Sequence, residues 1–503
     1  MNVVQKLALL VLMFVAVNLA AEQPAQGVPP VAIHRLAAPI SLYPAGISPS
    51  PRYRVLIKAA SDASTWSDAD ATACYQITPD YPDKETVFGS YRDNHVHFAQ
   101  CDANERIRIR IEIIDGERIL KRSLKPSRYA EVSDSVRSGS TWIEFEAEPG
   151  DYTKSVLVEI NAFSRILDHG LMIFINPISE KPKGNVLVLP SGVIGKGSPY
   201  LDENNALIIE KNSPFDALYI PSDTIIDGRI QIKKPGFTIA GRGMVVGSRW
   251  AWPKSNPGWS TKYPAEISPD GSVVKALVRG ALDTNVEGIL SIHPYHFNFE
   301  GHKELINVKA FGFRASSDGL HAAVKKGCFV RVNDDANYLT GIMEHNVYWG
   351  MENGSIFQLG WGQSAVNRAS GARVSHCDIV RGEWDGDGGA YQNNGIITAS
   401  LGNGVKGIIE DVIIEDLRIE GDIFRFINMD MERTEIQIKG FCLRDIQFEK
   451  KPWYPESGSN ALTIAKGIEG LLLESVYFGN KKVESIGDLE PITVAGPIDI
   501  VFR

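Results

Sequence analysis

No Cys-x-x-Cys pair occurs anywhere in the chain, and its five cysteines, Cys74, Cys101, Cys328, Cys377 and Cys442, carry no metal-ligand spacing. That pattern excludes zinc-ribbon and thioredoxin-like redox chemistry, and neither a metal nor a cofactor is expected. No tract of like basic charge is present, and the basic residues are not interleaved with aromatics; the net charge is −9, from 52 Lys and Arg against 61 Asp and Glu. Nucleic acid is therefore excluded as a partner. Beyond the first twenty or so residues no apolar run approaches the length that spans a bilayer. Amphipathic helical periodicity is almost absent as well, which points to an all-β protein.

What is present begins with MNVVQKLALLVLMFVAVNLAAEQ: one lysine, an apolar run from Leu7 to Val17, then small residues at Ala20 and Ala21. This reads as a cleaved secretory signal peptide over residues 1–21, so a secreted or periplasmic protein is expected, with no membrane span. From 29 to 184 short alternating stretches such as YRVLIKA, RIRIRIEII and SVLVEINAF are punctuated by turn residues every dozen or so positions. That is the pattern of an antiparallel β-sandwich. PISEKPKG, rich in Pro, Lys and Gly, marks a domain boundary. From 185 to 503 the texture changes to brief apolar triplets separated by Gly, Asn and Asp, with one local pattern recurring at Gly327, His345, Ser375, Glu415, Arg444 and Glu474. Asp416, Asp445 and Ser475 are spaced by 29 and 30 residues. A right-handed parallel β-helix, whose stacked coils bury Val, Ile, Leu and Cys, fits this spacing best. Propeller repeats would be longer and more uniform. Cys328, Cys377 and Cys442 read as small core residues, whereas Cys74 and Cys101, close together in an exported chain, can pair.

The stretch SSDGLHAAVKKGCFVRVNDDANYL holds Asp318 and, sixteen residues on, the adjacent pair Asp334 and Asp335. Strand sequence ordinarily avoids such residues. If one coil consumes a little under twenty residues, Asp318 stacks beside the pair and three carboxylates cluster on one face. Crowded carboxylates hold a shared proton near neutral pH, which supplies the protonated acid and the ionised base that glycosidic cleavage requires. Two plainer readings stand beside this one. Asp318–Gly319 suits a simple turn, and Asn333–Asp335 suits a solvated corner or a calcium site.

The segment DGLH…GCFVRVNDDANYL…VYWGMENGSIFQLGW resembles family 49 glycoside hydrolases, the dextranases and isopullulanases, within the polygalacturonase-related clan. The likeness continues through NGIITAS and EDVIIEDLRIEGDIFRF. It implies a β-sandwich followed by a β-helix, and an inverting glycosidase with catalytic Asp318, Asp334 and Asp335. Asp334 would be the general acid, and the other two would hold and deprotonate water. It also implies sugar contacts from His321, Asn353, Gln358, Arg381 and Arg425. Tyr338, Trp349 and Trp361 read as aromatic platforms for sugar rings, with core packing or a plain surface position as the other reading of each. A monomer acting on a polysaccharide or oligosaccharide is expected. Some positions depart from the family pattern: His321 stands for an acid, Tyr338 for a lysine, Glu352 and Arg381 for histidines. The polygalacturonase signatures Gly-His-Gly and Arg-Ile-Lys are absent. Arg381, permanently charged and able to grip sulfate or carboxylate with two hydrogen bonds, raises the expectation of an anionic glycan.

Three classes of activity fit these readings. An inverting hydrolase of a dextran-like α-glucan or related glycan is the leading one; a polysaccharide lyase and a non-catalytic glycan-binding β-helix are the others. A lyase needs a Lys or Arg base beside the acids and leaves an unsaturated product. A silent binder cleaves nothing.

Overall fold

The computed structural model describes residues 30–79, 94–250, 276–313, 317–350, 354–360, 363–384, 395–400, 404–423, 425–430, 434–452, 462–464, 468–490, 492–494 and 498–503. The predicted signal peptide lies outside them. No helix among the described residues is long and apolar enough to cross a membrane.

The described residues between 31 and 176 form two sheets, of seven and five strands, facing one another. The strand Ile107–Ile113, IRIRIEI, alternates strictly between buried and half-buried positions, as a strand with one wet face must. Its isoleucines meet Ala99, Cys101, Leu171 and Ile173 of the larger sheet. The strands Val96–Ala103 and Gly170–Asn176 are buried along their whole length. Their second face, through Phe98, Met172 and Phe174, packs on Phe311, Phe329 and Val347 of the second half of the chain. Ring centroids of Phe311 lie 5.6, 6.2 and 5.2 Å from those of Phe98, Phe174 and Phe329. Each fully buried phenyl contributes about 2–3 kcal/mol relative to exposure, so this aromatic layer fixes the two halves together. Polar groups complete the joint. Arg242 reaches Asp102 at 3.0 Å and Glu287 at 2.9 Å. Burial alone would raise the Asp102 carboxyl, but His34 and Arg242 outweigh it and hold it at about 2.

Cys74 and Cys101 do not pair. Both are buried free thiols. Cys74 lies directly opposite Ala99 in the antiparallel register, which makes Cys101 its diagonal neighbour. Diagonal neighbours stand roughly 7–8 Å apart, beyond the reach of a disulfide.

From Val186 to Phe502 the strands among the described residues, 28 in all, join a single assembly in which each pairs, nearly always in parallel, with strands two or three further along. This is a right-handed parallel β-helix. Ile306, Lys326, Glu344, Ser375, Glu415, Arg444 and Glu474 pair one above the other. The residue after each one, Asn307, Gly327, His345, His376, Asp416, Asp445 or Ser475, adopts a left-handed φ between 46° and 62°. Gly, Asn and Asp enter that region at least cost, and His is enriched there. The recurring sequence pattern is therefore this stacked turn, repeated once per coil. Inside, Phe426, Phe448 and Phe478 stack edge to face at 4.9 and 5.0 Å.

Candidate active site

The strand Phe329–Val332 lies on the face that meets the sandwich and is fully buried. At its end the chain bends through Asn333, Asp334, Asp335 and Ala336 before re-entering a strand at Asn337–Tyr338. The bend is held on both sides. Asn333 N donates to Ser317 Oγ at 3.2 Å and Asp334 N to Ser317 O at 3.1 Å. On the other side Ala336 N donates to Ser355 O at 2.7 Å. Leu320 pairs with Asn337 and Asn337 with Phe357. Stepping back two residues in each register, Asp318, Asp335 and Ser355 occupy equivalent places on three successive coils, about 4.8 Å apart per coil. Asp318–Gly319 is not a turn; it opens the strand Asp318–Lys326. Gly319 is required because a Cβ there would fall 2.3 Å from Ala336 O.

The three carboxylates differ in their surroundings. Asp318 is 3% and Asp335 1% exposed, whereas Asp334 is half-buried. Tyr338 donates its hydroxyl to Asp318 Oδ2 at 3.1 Å. His296 Nε2 lies 3.7 Å from Asp318 Oδ1, and His321 Nε2 lies 3.8 Å from Oδ2. Asp335 Oδ1 accepts from Ser355 N at 3.1 Å and Ser355 Oγ at 2.8 Å. Asp334 Oδ1 accepts from Asp335 N at 3.0 Å. The Tyr338 phenol is raised well above its ordinary value, first by burial and then by the charges of Asp318, Asp335 and Asp334. It is a fixed proton donor, and all three carboxylates act on it. Burial pushes His321 down to about 4, so it is neutral near pH 7. Its ring is wedged between Phe297 and Tyr338, each with its centroid 4.5 Å away.

Of the other residues read from the sequence, Gln358 and Arg425 lie along the same face. Tyr338, Gln358, Thr398 and Asn428 pair in one column. Gly395 pairs with Ser355, and Arg425 stands beside Gly395, so Arg425 is two coils beyond Ser355 in the aspartate column. Gln358 is fully buried, with its Oε1 accepting from Gly360 N at 3.1 Å. Asn353 and Trp361 lie outside the described residues.

Trp349 and Arg381 are not at the aspartates, a correction to their reading as sugar contacts. Trp349 is 1% exposed, and its ring touches the sandwich at Gly170. Arg381 donates to Glu383 at 3.0 Å, to Glu159 at 2.5 Å, to Ser164 O at 2.8 Å and to Arg165 O. Its guanidinium is sequestered by sandwich and β-helix acceptors, which removes the basis for an anionic glycan. Conversely, His296, Phe297, Gly354 and Ser355 belong to the site and were missed. Phe297 pairs with Asp318 and so sits one coil before it; coil-length spacing was the signal that could have found it.

No protein-family model matches the chain, and no curated protein sequence matches it. Among solved structures it is similar to Dex49A from Penicillium minioluteum, a glycoside hydrolase, at 15% identity over 94% of this chain and 97% of that one, with a TM-score of 0.67. A second likeness, at 10% identity over 78% and 95% and a TM-score of 0.39, is to the family 28 exopolygalacturonase of Yersinia enterocolitica. The chain thus has the fold of a family 49 glycoside hydrolase, an N-terminal β-sandwich joined to a right-handed parallel β-helix.

Proposed function

We propose that this chain is an exported, inverting glycoside hydrolase of a dextran-like α-glucan or a related neutral glycan. The observation that carries the reading is the convergence of Asp318, Asp334 and Asp335 on one corner in three different environments. Carboxylates that accept fixed hydrogen bonds favour their ionised form. Asp318, with Tyr338, and Asp335, with Ser355, suit the holding and deprotonation of water. Asp334 accepts the backbone N–H of Asp335 and is the most accessible of the three; in a crowded cluster where one carboxyl keeps a proton, it is the one placed to give that proton to the leaving oxygen.

The lyase reading is less well supported. Lys325 Nζ is fully buried and donates to Ala322 O, Tyr338 O and Thr340 O at 2.9, 3.2 and 3.1 Å, while Lys326 is paired with Glu344 at 2.8 Å. Arg331 lies between the rings of Phe313 and Trp349, against the sandwich.

The test is a panel of neutral and charged polysaccharides with reducing-end detection, followed by proton NMR of the first product. A new reducing end of anomeric configuration opposite to the cleaved bond is expected. A retained anomer means a covalent intermediate and overturns the water-activating roles; an ultraviolet-absorbing unsaturated end means a lyase. In the same assay Tyr338→Phe should lower kcat by roughly tenfold. Without the phenolic donor the Asp318 anion is less favoured, so the acid limb of kcat/KM should move to higher pH. An unmoved limb would separate Tyr338 from the base.

A further inference from the structure

The sandwich carries a second cluster of chemically active side chains, distant in sequence and outside any role described above. His95 and His169 immediately precede the parallel strands Val96–Ala103 and Gly170–Asn176, whose register sets Gly170 beside Val96. The two imidazoles are thereby neighbours, stacked at 4.8 Å and 5°. Asp168 stands between them, with Oδ1 3.0 Å from His95 Nδ1 and Oδ2 3.5 Å from His169 Nε2. One ligand atom from each of His95, Asp168 and His169 lies within 4.8 Å of the others, and all three side chains reach solvent. We propose that these three residues form a binding site for a divalent transition metal of the zinc class.

Three features support it. Two imidazoles and one carboxylate are a donor set that suits zinc, whereas calcium and magnesium favour oxygen alone. Behind the cluster, His169 Nδ1 is 3.0 Å from His97 Nε2, and His97 Nδ1 is 2.9 Å from Ser50 Oγ. His97 is fully buried, so this support is fixed in place. The His97 contact occupies His169 Nδ1 and leaves His169 Nε2, 3.5 Å from Asp168 Oδ2, as the ring nitrogen that faces the cluster. Metal-ligating histidines are usually oriented by such a partner on the other ring nitrogen. Finally, the neighbouring cation is neutralised: Arg52 is paired with Asp115 at 2.5 Å and with Glu117.

Zinc–ligand bonds of about 2.0–2.2 Å place ligand atoms roughly 3.3 Å apart, so the stacked rings must rotate to close on an ion. Closure would tie together two turns that brace the candidate active site from behind. Asn94, next to His95, accepts from Arg331 at 3.1 Å, and Leu167 N, next to Asp168, donates to Glu383 at 2.7 Å. Arg331 lies two residues before Asn333, where the aspartate bend begins.

The test uses untagged, chelator-stripped full chain titrated with Zn²⁺ alone, read by calorimetry and by the melting temperature. One ion per chain and a higher melting temperature are expected. His95→Ala and His169→Ala should each weaken the affinity by at least about tenfold with unchanged circular dichroism. Asp168→Asn should weaken it too, whereas His376→Ala, which alters a histidine–aspartate pair on the β-helix, should not. As a second readout, Co²⁺ should give tetrahedral d–d absorption that His95→Ala removes. Failure of the wild-type chain to bind Zn²⁺ in the titration overturns the proposal, as does unchanged affinity in both histidine variants.

Discussion

The Asp334→Asn variant should lose at least about a hundredfold in turnover while keeping its fold and its affinity for glycan. Asparagine preserves the shape of the side chain, and its amide oxygen can still accept from Asp335 N, as Asp334 Oδ1 does at 3.0 Å. Its amide cannot release a proton to a leaving oxygen. The loss should therefore fall on kcat rather than KM, and it should be smaller for substrates with activated leaving groups, which need less protonation. Retention of more than about a tenth of wild-type turnover would place the acid elsewhere, because general acids ordinarily contribute a hundredfold or more. Asp318→Asn and Asp335→Asn should be nearly as damaging. Double variants should cost little beyond the single ones, since residues that act as one unit give non-additive losses.

The parts of this molecule that were legible in sequence are those with a local physical cause. Alternating strands such as IRIRIEI announce one wet face, and the left-handed residues stacked from Asn307 to Ser475 impose a repeating Gly, Asn, His or Asp punctuation. The aspartate cluster was legible for a related reason, because a coil seventeen residues long, the offset between Leu320 and Asn337, stacks Asp318 beside Asp335. What sequence did not disclose is which outer face of the β-helix the sandwich covers. Trp349 and Arg381 pair with one another on adjacent strands of that covered face, so they read as cleft residues while being buried in the joint. A surface-like strand and an interface strand look alike in one dimension when the partner sheet comes from two hundred residues away. The cradle residues Gly354 and Ser355 were inconspicuous for a different reason. Gly354 acts through the close approach of its backbone and Ser355 through its N–H and hydroxyl, and the sequence Asn-Gly-Ser carries no sign of what presses against it.

That proximity makes the second large effect. A Cβ added at Gly354 would lie 2.0 Å from the carbonyl carbon of Asp334 and 2.3 Å from Asp335 N. Both are backbone atoms, so no side-chain rotation relieves the overlap. Gly354 O is also fixed, accepting from the Trp384 indole at 2.7 Å, and Trp384 is buried. The displacement must therefore pass into the peptide that joins the two aspartates. Gly354→Ala is expected to shift that bend by an ångström or so, which ordinarily costs about a hundredfold in turnover when reacting groups lose their alignment. Ser355→Ala is the matched control. It removes one hydroxyl donor to Asp335 and leaves the Ser355 N–H bond and the backbone geometry in place, so roughly a tenfold loss is expected. Measuring kcat, KM and melting temperature for both variants separates misalignment from unfolding. A folded Gly354→Ala protein with near wild-type kcat would mean that the bend at Asp334 and Asp335 does not need this close approach to be catalytically competent.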